Sequence, residues 1–391
     1  MDYSKLLSKT VVELQPSGIR KFFDMLSGRG DVVALTVGQP DFATPWHVRE
    51  TGIISLERGY TYYTSNAGTV PLRQELSAYM KRRFGLTYDP MNEITVTVGG
   101  SEAIDLAIRA TVEPGDEVII PEPSFVCYEP ITRLCGGVPV PVTTLPENDF
   151  KLTADQLKAA ITPKTKLLVL PYPNNPTGAV MTAEELLPIC EVLKGTNVAV
   201  LSDEIYSELT YGDRHTSIAT LPGMAERCIV VNGFSKAYAM TGWRLGFVCA
   251  PPEITKQMLK IHQYAIMCAP TTSQLAAVEA LKNGDTDIEM MRAEYDKRRK
   301  YIVEELNRIG LPCFEPKGAF YVFPYIGGFG MSSEQFCERL LNEGKVAIVP
   351  GTAFGKGGEG YARISYAYSV KHITEAIDRI ERFVSELKRQ Q

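Results

Sequence analysis

The stretch Asn232-Gly233-Phe234-Ser235-Lys236-Ala237-Tyr238-Ala239-Met240-Thr241-Gly242-Trp243-Arg244-Leu245-Gly246 organises the rest of the chain. It follows Cys228-Ile229-Val230-Val231, an apolar run that reads as a buried strand. A Ser-Lys pair therefore stands where that strand leaves its sheet, and a Gly-x-Arg-x-Gly segment comes after it. Partial burial lowers the pKa of a lysine so placed and suits it to Schiff-base chemistry. The arginine eight residues later is a natural phosphate clamp. Together they suit a cofactor with an aldehyde at one end and a phosphate at the other, and pyridoxal 5'-phosphate (PLP) meets that description.

Two more apolar runs end in the same manner. Leu167-Leu168-Val169-Leu170 leads into Pro171-Tyr172-Pro173-Asn174-Asn175-Pro176-Thr177-Gly178, and Val198-Ala199-Val200-Leu201 leads into Ser202-Asp203-Glu204-Ile205-Tyr206. Near-continuous apolar strands mark a sheet covered on both faces. Ligands of open α/β sheets bind outside the carboxyl ends of the strands. Asn175, Asp203 and Lys236 thus nominate one rim. Alternating strands and helices through the middle of the chain predict a mostly parallel sheet.

Upstream, Ile94-Thr95-Val96-Thr97-Val98 reads as a strand that runs through Gly99-Gly100-Ser101-Glu102 into a helix with Ala103, Leu106, Ala107 and Ala110 on one face. Free N–H groups and the positive helix end make that turn an anion site. Val32 to Val37 predicts a short strand stopped by Gly38-Gln39-Pro40-Asp41, and a helix is expected from about Pro71. Ile19, Phe22, Phe23 and Leu26 share one face of an expected N-terminal helical arm.

From about Pro270 long charged helices take over, with short strands around Gly318 to Phe323 and Tyr361 to Ser365 and an apolar stripe Ile373, Ile377, Ile380 and Leu387 on the last helix. The expected architecture is α/β: a large PLP-binding domain with a mostly parallel central sheet at 46–275, and a smaller α+β domain at 276–391. Residues 1–45 supply an N-terminal arm and part of the smaller domain.

The chain has 391 residues, 45% of them hydrophobic and 22% charged, with a net charge of −5. This length suits two lobes. An acidic balance argues against nucleic acid or an anionic membrane as partner. The start lacks the apolar core of a signal peptide and no run is long enough to span a bilayer, so a cytoplasmic protein is expected. Eight scattered cysteines and four separated histidines form no metal motif. Gly355-Lys356-Gly357-Gly358-Glu359-Gly360 matches a dinucleotide-binding pattern, yet it precedes a strand and opens no helix, so a flexible loop is expected there. Asp203 and Glu204, adjacent on an extended segment, should point opposite ways.

In this order, Asn-Asn-Pro-Thr-Gly, Asp-Glu-Ile-Tyr, Ser-Lys and Gly-Trp-Arg-Leu-Gly give a chain that resembles the fold-type I, class I/II PLP-dependent aminotransferases. It is most similar to the bacterial branch holding aminotransferase A (aromatic or N-acetyl-diaminopimelate type) and the gamma-type aspartate aminotransferases. The resemblance implies that Lys236 holds the cofactor and shuttles a proton, that Asp203 pairs with its pyridine nitrogen, and that Asn175 and Tyr206 bond its phenolic oxygen. It also implies a phosphate site built from Arg244, Ser101, Ser235 and the backbone around Gly100 and Glu102, with Phe125 stacked on the ring. Arg363, helped by Gly38, would grip the substrate carboxylate. Tyr63 would reach the phosphate of a neighbouring subunit in a homodimer with shared active sites.

The activity so implied is ping-pong transfer of the amino group of an L-amino acid to a 2-oxo acid such as 2-oxoglutarate. Aromatic donors are favoured, because Ser101 stands where gamma-type aspartate enzymes often carry a lysine, and Phe22, Phe23, Tyr62 and Tyr321 could line an apolar pocket. Aspartate or N-acetyl-diaminopimelate transamination, or a β-lyase reaction on the same fold, are the alternatives. A regulator that only senses PLP lacks the DNA-binding module it would need. The family often has a serine where this chain has Gly233, which leaves one phosphate contact out.

Overall fold

The computed structural model describes residues 1–16, 18 and 29–390. The helical arm expected around Ile19, Phe22, Phe23 and Leu26 lies outside the described residues.

Seven strands form the central sheet: β2 (Ile94–Thr97), β3 (Glu117–Glu122), β4 (Val138–Thr143), β5 (Thr165–Leu170), β6 (Ala199–Asp203), β7 (Cys228–Gly233) and β8 (Gly246–Cys249), in the order β2-β8-β7-β6-β5-β3-β4. β4, β3, β5, β6 and β7 run parallel, and β8 is antiparallel to both β7 and β2. β2 therefore points the same way as β7, and four strand ends that matter, those of β2, β5, β6 and β7, open on one rim.

The sheet is buried on both faces because its strands are apolar at successive positions. Leu168, Leu170, Val200 and Val230 join one core cluster, whereas Leu167, Val169, Leu201, Ile229 and Val231 join another on the opposite face. Successive side chains of a strand point to opposite sides, so an unbroken apolar run needs helices on both. Helix Val70–Phe84 supplies Leu72 and Leu76 to the first cluster, and helix Gly100–Thr111 supplies Ala103, Leu106, Ala107 and Ile108 to the second. Each fully buried aliphatic side chain stabilises this layering by roughly 1.5–3 kcal/mol.

A second body of structure follows helix Asp285–Ile309. Here β9 (Tyr321–Val322), β11 (Val349–Pro350) and β12 (Ala362–Ser365) form an antiparallel sheet ordered β11-β12-β9. β1 (Val33–Ala34) pairs in parallel with β10 (Val346–Ala347), so an early segment of the chain joins a late one. The closing helix Val370–Gln390 buries Ile373, Ile377, Ile380 and Leu387.

β1 is shorter than the strand expected over Val32 to Val37. Leu35 N–H still bonds the Ala347 carbonyl at 2.9 Å, but the next carbonyl, of Thr36, accepts from the Arg363 guanidinium instead of from a strand. The glycine-rich segment near 355–360 is not a loose loop either. It contains the short 3-10 turn Lys356–Gly358, and Lys356 N–H donates to the Glu122 carboxylate at 3.0 Å. Among the described residues no helix is long and apolar enough to cross a membrane.

Candidate active site

On the sheet rim lies a cavity of about 330 Å³. Gly38, Gly100, Ser101, Phe125, Asn175, Asp203, Tyr206, Ser235, Lys236, Arg244 and Arg363 all line it. Those residues come from separate segments, and the parallel neighbours β5, β6 and β7 account for three of them. Asn175 follows β5, Asp203 ends β6, and Lys236 lies just past β7.

Lys236 Nζ donates to the Gly38 carbonyl at 2.6 Å. Burial, then the nearby Arg363 and Arg244 charges, push its pKa down to about 8 against the opposing pull of Asp203. An amine with that value is neutral about a tenth of the time at pH 7, far more often than an ordinary lysine, and a nucleophile or proton carrier needs that neutral form.

Asp203 is buried, and its two oxygens have separate partners. Tyr128 Oη donates to Oδ2 at 2.7 Å and Ile205 N–H donates to Oδ1 at 3.2 Å. Burial raises its pKa, while these hydrogen bonds act the other way. Glu204 points to the opposite side, as its adjacency on an extended chain requires: its carboxylate accepts from Ser202 and Ser217 and lies 3.1 Å from His215.

The anion end of the cavity is built at the start of helix Gly100–Thr111. Gly99 there has φ +79°, and a Cβ on it would stand 2.5 Å from an Arg244 guanidinium nitrogen. A glycine is thus what lets the guanidinium lie against the helix start. Arg244 itself adopts a left-handed backbone at φ 52°, a conformation that costs a non-glycine residue about 1–2 kcal/mol. Its Nη1 is tied to the Thr241 carbonyl at 3.1 Å. At Gly233, where a further serine is common among the proteins this chain resembles, a Cβ would stand 3.0 Å from Gly246 Cα and 3.1 Å from an Ile205 methyl. That backbone is closed around hydrogen.

Glu102 does not line the cavity. Its side chain turns back to accept from Val98 N–H at 2.5 Å and meets His262 Nδ1 at 2.6 Å, so only its backbone belongs to the helix start. Tyr63 and Tyr62 are also outside the cavity, with Tyr63 79% and Tyr62 62% exposed. Phe22 and Phe23 lie outside the described residues.

Arg363 on β12 is 2% exposed, an unusual depth for a guanidinium. Nη1 donates to Asn175 Oδ1 at 2.9 Å and Nη2 to the Thr36 carbonyl at 2.6 Å. Because Asn175 Oδ1 faces this donor, its amide NH2 is the group left for the cavity. The guanidinium is sandwiched between Tyr321, 4.6 Å from its ring centroid, and Phe354, at 4.8 Å. Nε is buried without a hydrogen-bond partner among the described residues. A desolvated cation with an unused donor and no paired carboxylate is a receptor for an anion.

Sequence reasoning missed Tyr128, which holds Asp203, and the contact of Tyr321 with Tyr206, whose hydroxyls lie 2.7 Å apart. Tyr128 sits three residues beyond Phe125 at the start of helix Tyr128–Leu134, and nothing in that local run marks its distant partner.

A family model for aminotransferases of class I and II matches residues 30–380. The protein YugH of Bacillus subtilis (strain 168) is 56% identical over 97% of this chain and 98% of its own length. A probable N-acetyl-LL-diaminopimelate aminotransferase of the same organism is 49% identical, covering 97% of this chain and 96% of that one. The crystal structure of an aromatic aminotransferase from Pyrococcus horikoshii OT3 superposes with a TM-score of 0.90 at 45% identity, over 95% of this chain and 99% of that one. The chain belongs to the class I and II aminotransferases. Members of this family are PLP-dependent enzymes that move an amino group between amino acids and 2-oxo acids.

Proposed function

We propose that this aminotransferase takes its amino group from an L-amino acid, with aromatic donors preferred, and passes it to a 2-oxo acid such as 2-oxoglutarate in a ping-pong cycle. The observation that carries the donor preference is the charge inventory of the cavity. Among the described residues its lining cations are Lys236, Arg244 and Arg363, and each has a task in this reading. No fourth cation is left for a distal carboxylate. Val37, Ile104, Phe125 and Tyr321 offer an apolar wall instead. An aromatic ring against such a wall gains roughly 1.5–3 kcal/mol from burial, whereas a distal carboxylate finds neutral donors at most and no cation to offset its lost water. The polar lining residues Gln39, Ser101 and Thr241 give the acceptor's distal carboxylate neutral donors.

The residues present fit PLP by the chemistry of their donor groups. In this reading Lys236 holds the aldehyde carbon covalently. Arg244, Ser235, Ser101 and the backbone N–H groups of the helix start hold the phosphate. Asp203, kept in place by Tyr128, would pair with the pyridine nitrogen, while the Asn175 amide and Tyr206 would bond the ring oxygen and Phe125 would stack on the ring. Bound there, PLP supplies an electron sink for the bond broken at the substrate Cα. Arg363, with Gly38 beside it, orients the substrate through its α-carboxylate. The neutral amine of Lys236 would carry the proton at Cα. The exposed Tyr63, next to exposed Tyr62 in the chain, suits a second copy of the chain that completes the phosphate site. The proposed division into a large lobe at 46–275 and a smaller one at 276–391, joined by residues 1–45, puts the cavity where the two meet. The cytoplasm is the proposed compartment, to which free cysteines at all eight positions are suited.

The test is a half-reaction screen in which PLP-loaded enzyme meets single amino acids and decay of its visible band is followed. Phenylalanine and tyrosine should react at least about tenfold more efficiently than aspartate. Faster decay with aspartate or an N-acetylated diaminopimelate would overturn the donor preference.

Uptake of PLP by the apoenzyme requires the neutral amine of Lys236. With that amine titrating at about 8, the uptake rate should climb from pH 6, by roughly tenfold per unit at first, and level off above that value. A stopped-flow series across pH 6 to 9, on the order of one point per half unit, checks it. A flat profile would show that burial does not set the amine's proton affinity.

A further inference from the structure

Tyr321 touches both halves of this site from one position. It opens β9 and is paired with Ser365 of β12, the strand that carries Arg363. Its ring lies 4.6 Å from Arg363 Cζ, and its hydroxyl lies 2.7 Å from the Tyr206 hydroxyl. The two tyrosine rings meet edge to face with centroids 5.8 Å apart. The same hydroxyl fills the space beside Gly38, where a Cβ would stand 2.4 Å away, and the Gly38 carbonyl is the one that accepts from Lys236.

Two hydroxyls at this distance share one hydrogen bond, and its direction matters. If Tyr206 donates to Tyr321, its proton is unavailable to the cavity. If Tyr321 donates, Tyr206 receives one hydrogen bond and gives its own proton inward, as the stronger donor for being polarised. An acceptor in the cavity selects the second arrangement. The ring, meanwhile, forms one face of the slot that holds a buried, half-satisfied guanidinium. We infer that Tyr321 is a positioning residue with two functions: its ring seats the Arg363 guanidinium for a substrate carboxylate, and its hydroxyl turns the Tyr206 proton into the cavity.

The inference rests on the proposed roles of Arg363 and Tyr206, and two variants separate its parts. In Tyr321→Phe the ring stays and the hydroxyl goes. The charged and titratable groups around that hydroxyl include Arg363, Tyr206 and Tyr368, and none of these is altered. A hydrogen bond given to an ionised oxygen favours the ionised form. Weakening the Tyr206 donor should therefore raise the pKa of the visible band of the PLP-loaded enzyme by about half a unit. KM for the amino-acid donor should stay within about twofold of wild type, since the ring's cation–π contact remains. In Tyr321→Leu the ring goes too, and KM should rise about tenfold or more while the enzyme still takes up PLP.

A Phe variant whose band titrates as wild type does overturns the role of the hydroxyl. A folded Leu variant with wild-type KM overturns the role of the ring. A wild-type enzyme with no titrating visible band would sink the underlying assignment of Tyr206 together with the inference.

Discussion

Lys236→Ala enzyme is expected to fold, to lack the visible band that PLP gives the wild type, and to lose transamination by about 10⁴-fold or more. The size follows from two tasks resting on one amine: covalent attachment and proton movement at Cα. Among the described residues no other lysine lines the cavity to take over either task. Folding should survive because the amine contributes little to stability. Among the described residues it has a single hydrogen bond, to the Gly38 carbonyl, and it lies beside Arg363 and Arg244, whose charges oppose its own. Removing a repelled, part-buried amine should leave the apoenzyme's melting temperature unchanged or slightly higher. Borohydride reduction of wild-type enzyme followed by peptide mapping should place the pyridoxyl group on Lys236. A tag on another lysine, or full turnover by the Ala variant, would refute the mechanism.

Arg363→Ala is expected to raise KM for the amino-acid donor by about 10²–10⁴-fold while PLP remains bound. Two charge-assisted hydrogen bonds to a carboxylate, each contributing about 1.5–3 kcal/mol in a buried setting, set that range. Truncation also strands Asn175 Oδ1 and the Thr36 carbonyl, which now accept from Nη1 and Nη2, so some loss of stability accompanies the loss of binding. Arg363→Lys separates the effects: it restores charge without the planar fork and should recover only part of the affinity. Absorbance and steady-state kinetics on both variants decide the matter. Loss of PLP from the Ala variant would show that Arg363 holds the cofactor and not the substrate.

Much of this site can be read along the chain. Lys236, Asp203 and Asn175 are marked by the apolar runs before them, since a strand covered on both faces must be apolar throughout and the polar residues within a few positions of its end fall at the rim. The Gly-Gly-Ser turn is marked in the same manner by its position between a strand and an amphipathic helix. At Glu102 the sequence points only to the backbone at the helix start; the direction of the side chain, which faces His262, is set by the packing around it.

Local pattern says which residue types reach the rim, because pleat and helical pitch are short-range geometry. It does not say which of them meet. Tyr128 and Asp203 are 75 positions apart, Tyr206 and Tyr321 are 115 apart, and Arg363 and Thr36 are 327 apart. The first exists because β3 and β6 lie close in one sheet, on either side of β5, and the other two because β12 and β9 pack their sheet against the rim of the large one. Burial of Arg363, the lowered proton affinity of Lys236 and the Tyr206–Tyr321 pair are consequences of that packing, since desolvation depends on everything folded around a group and on nothing adjacent to it in the chain.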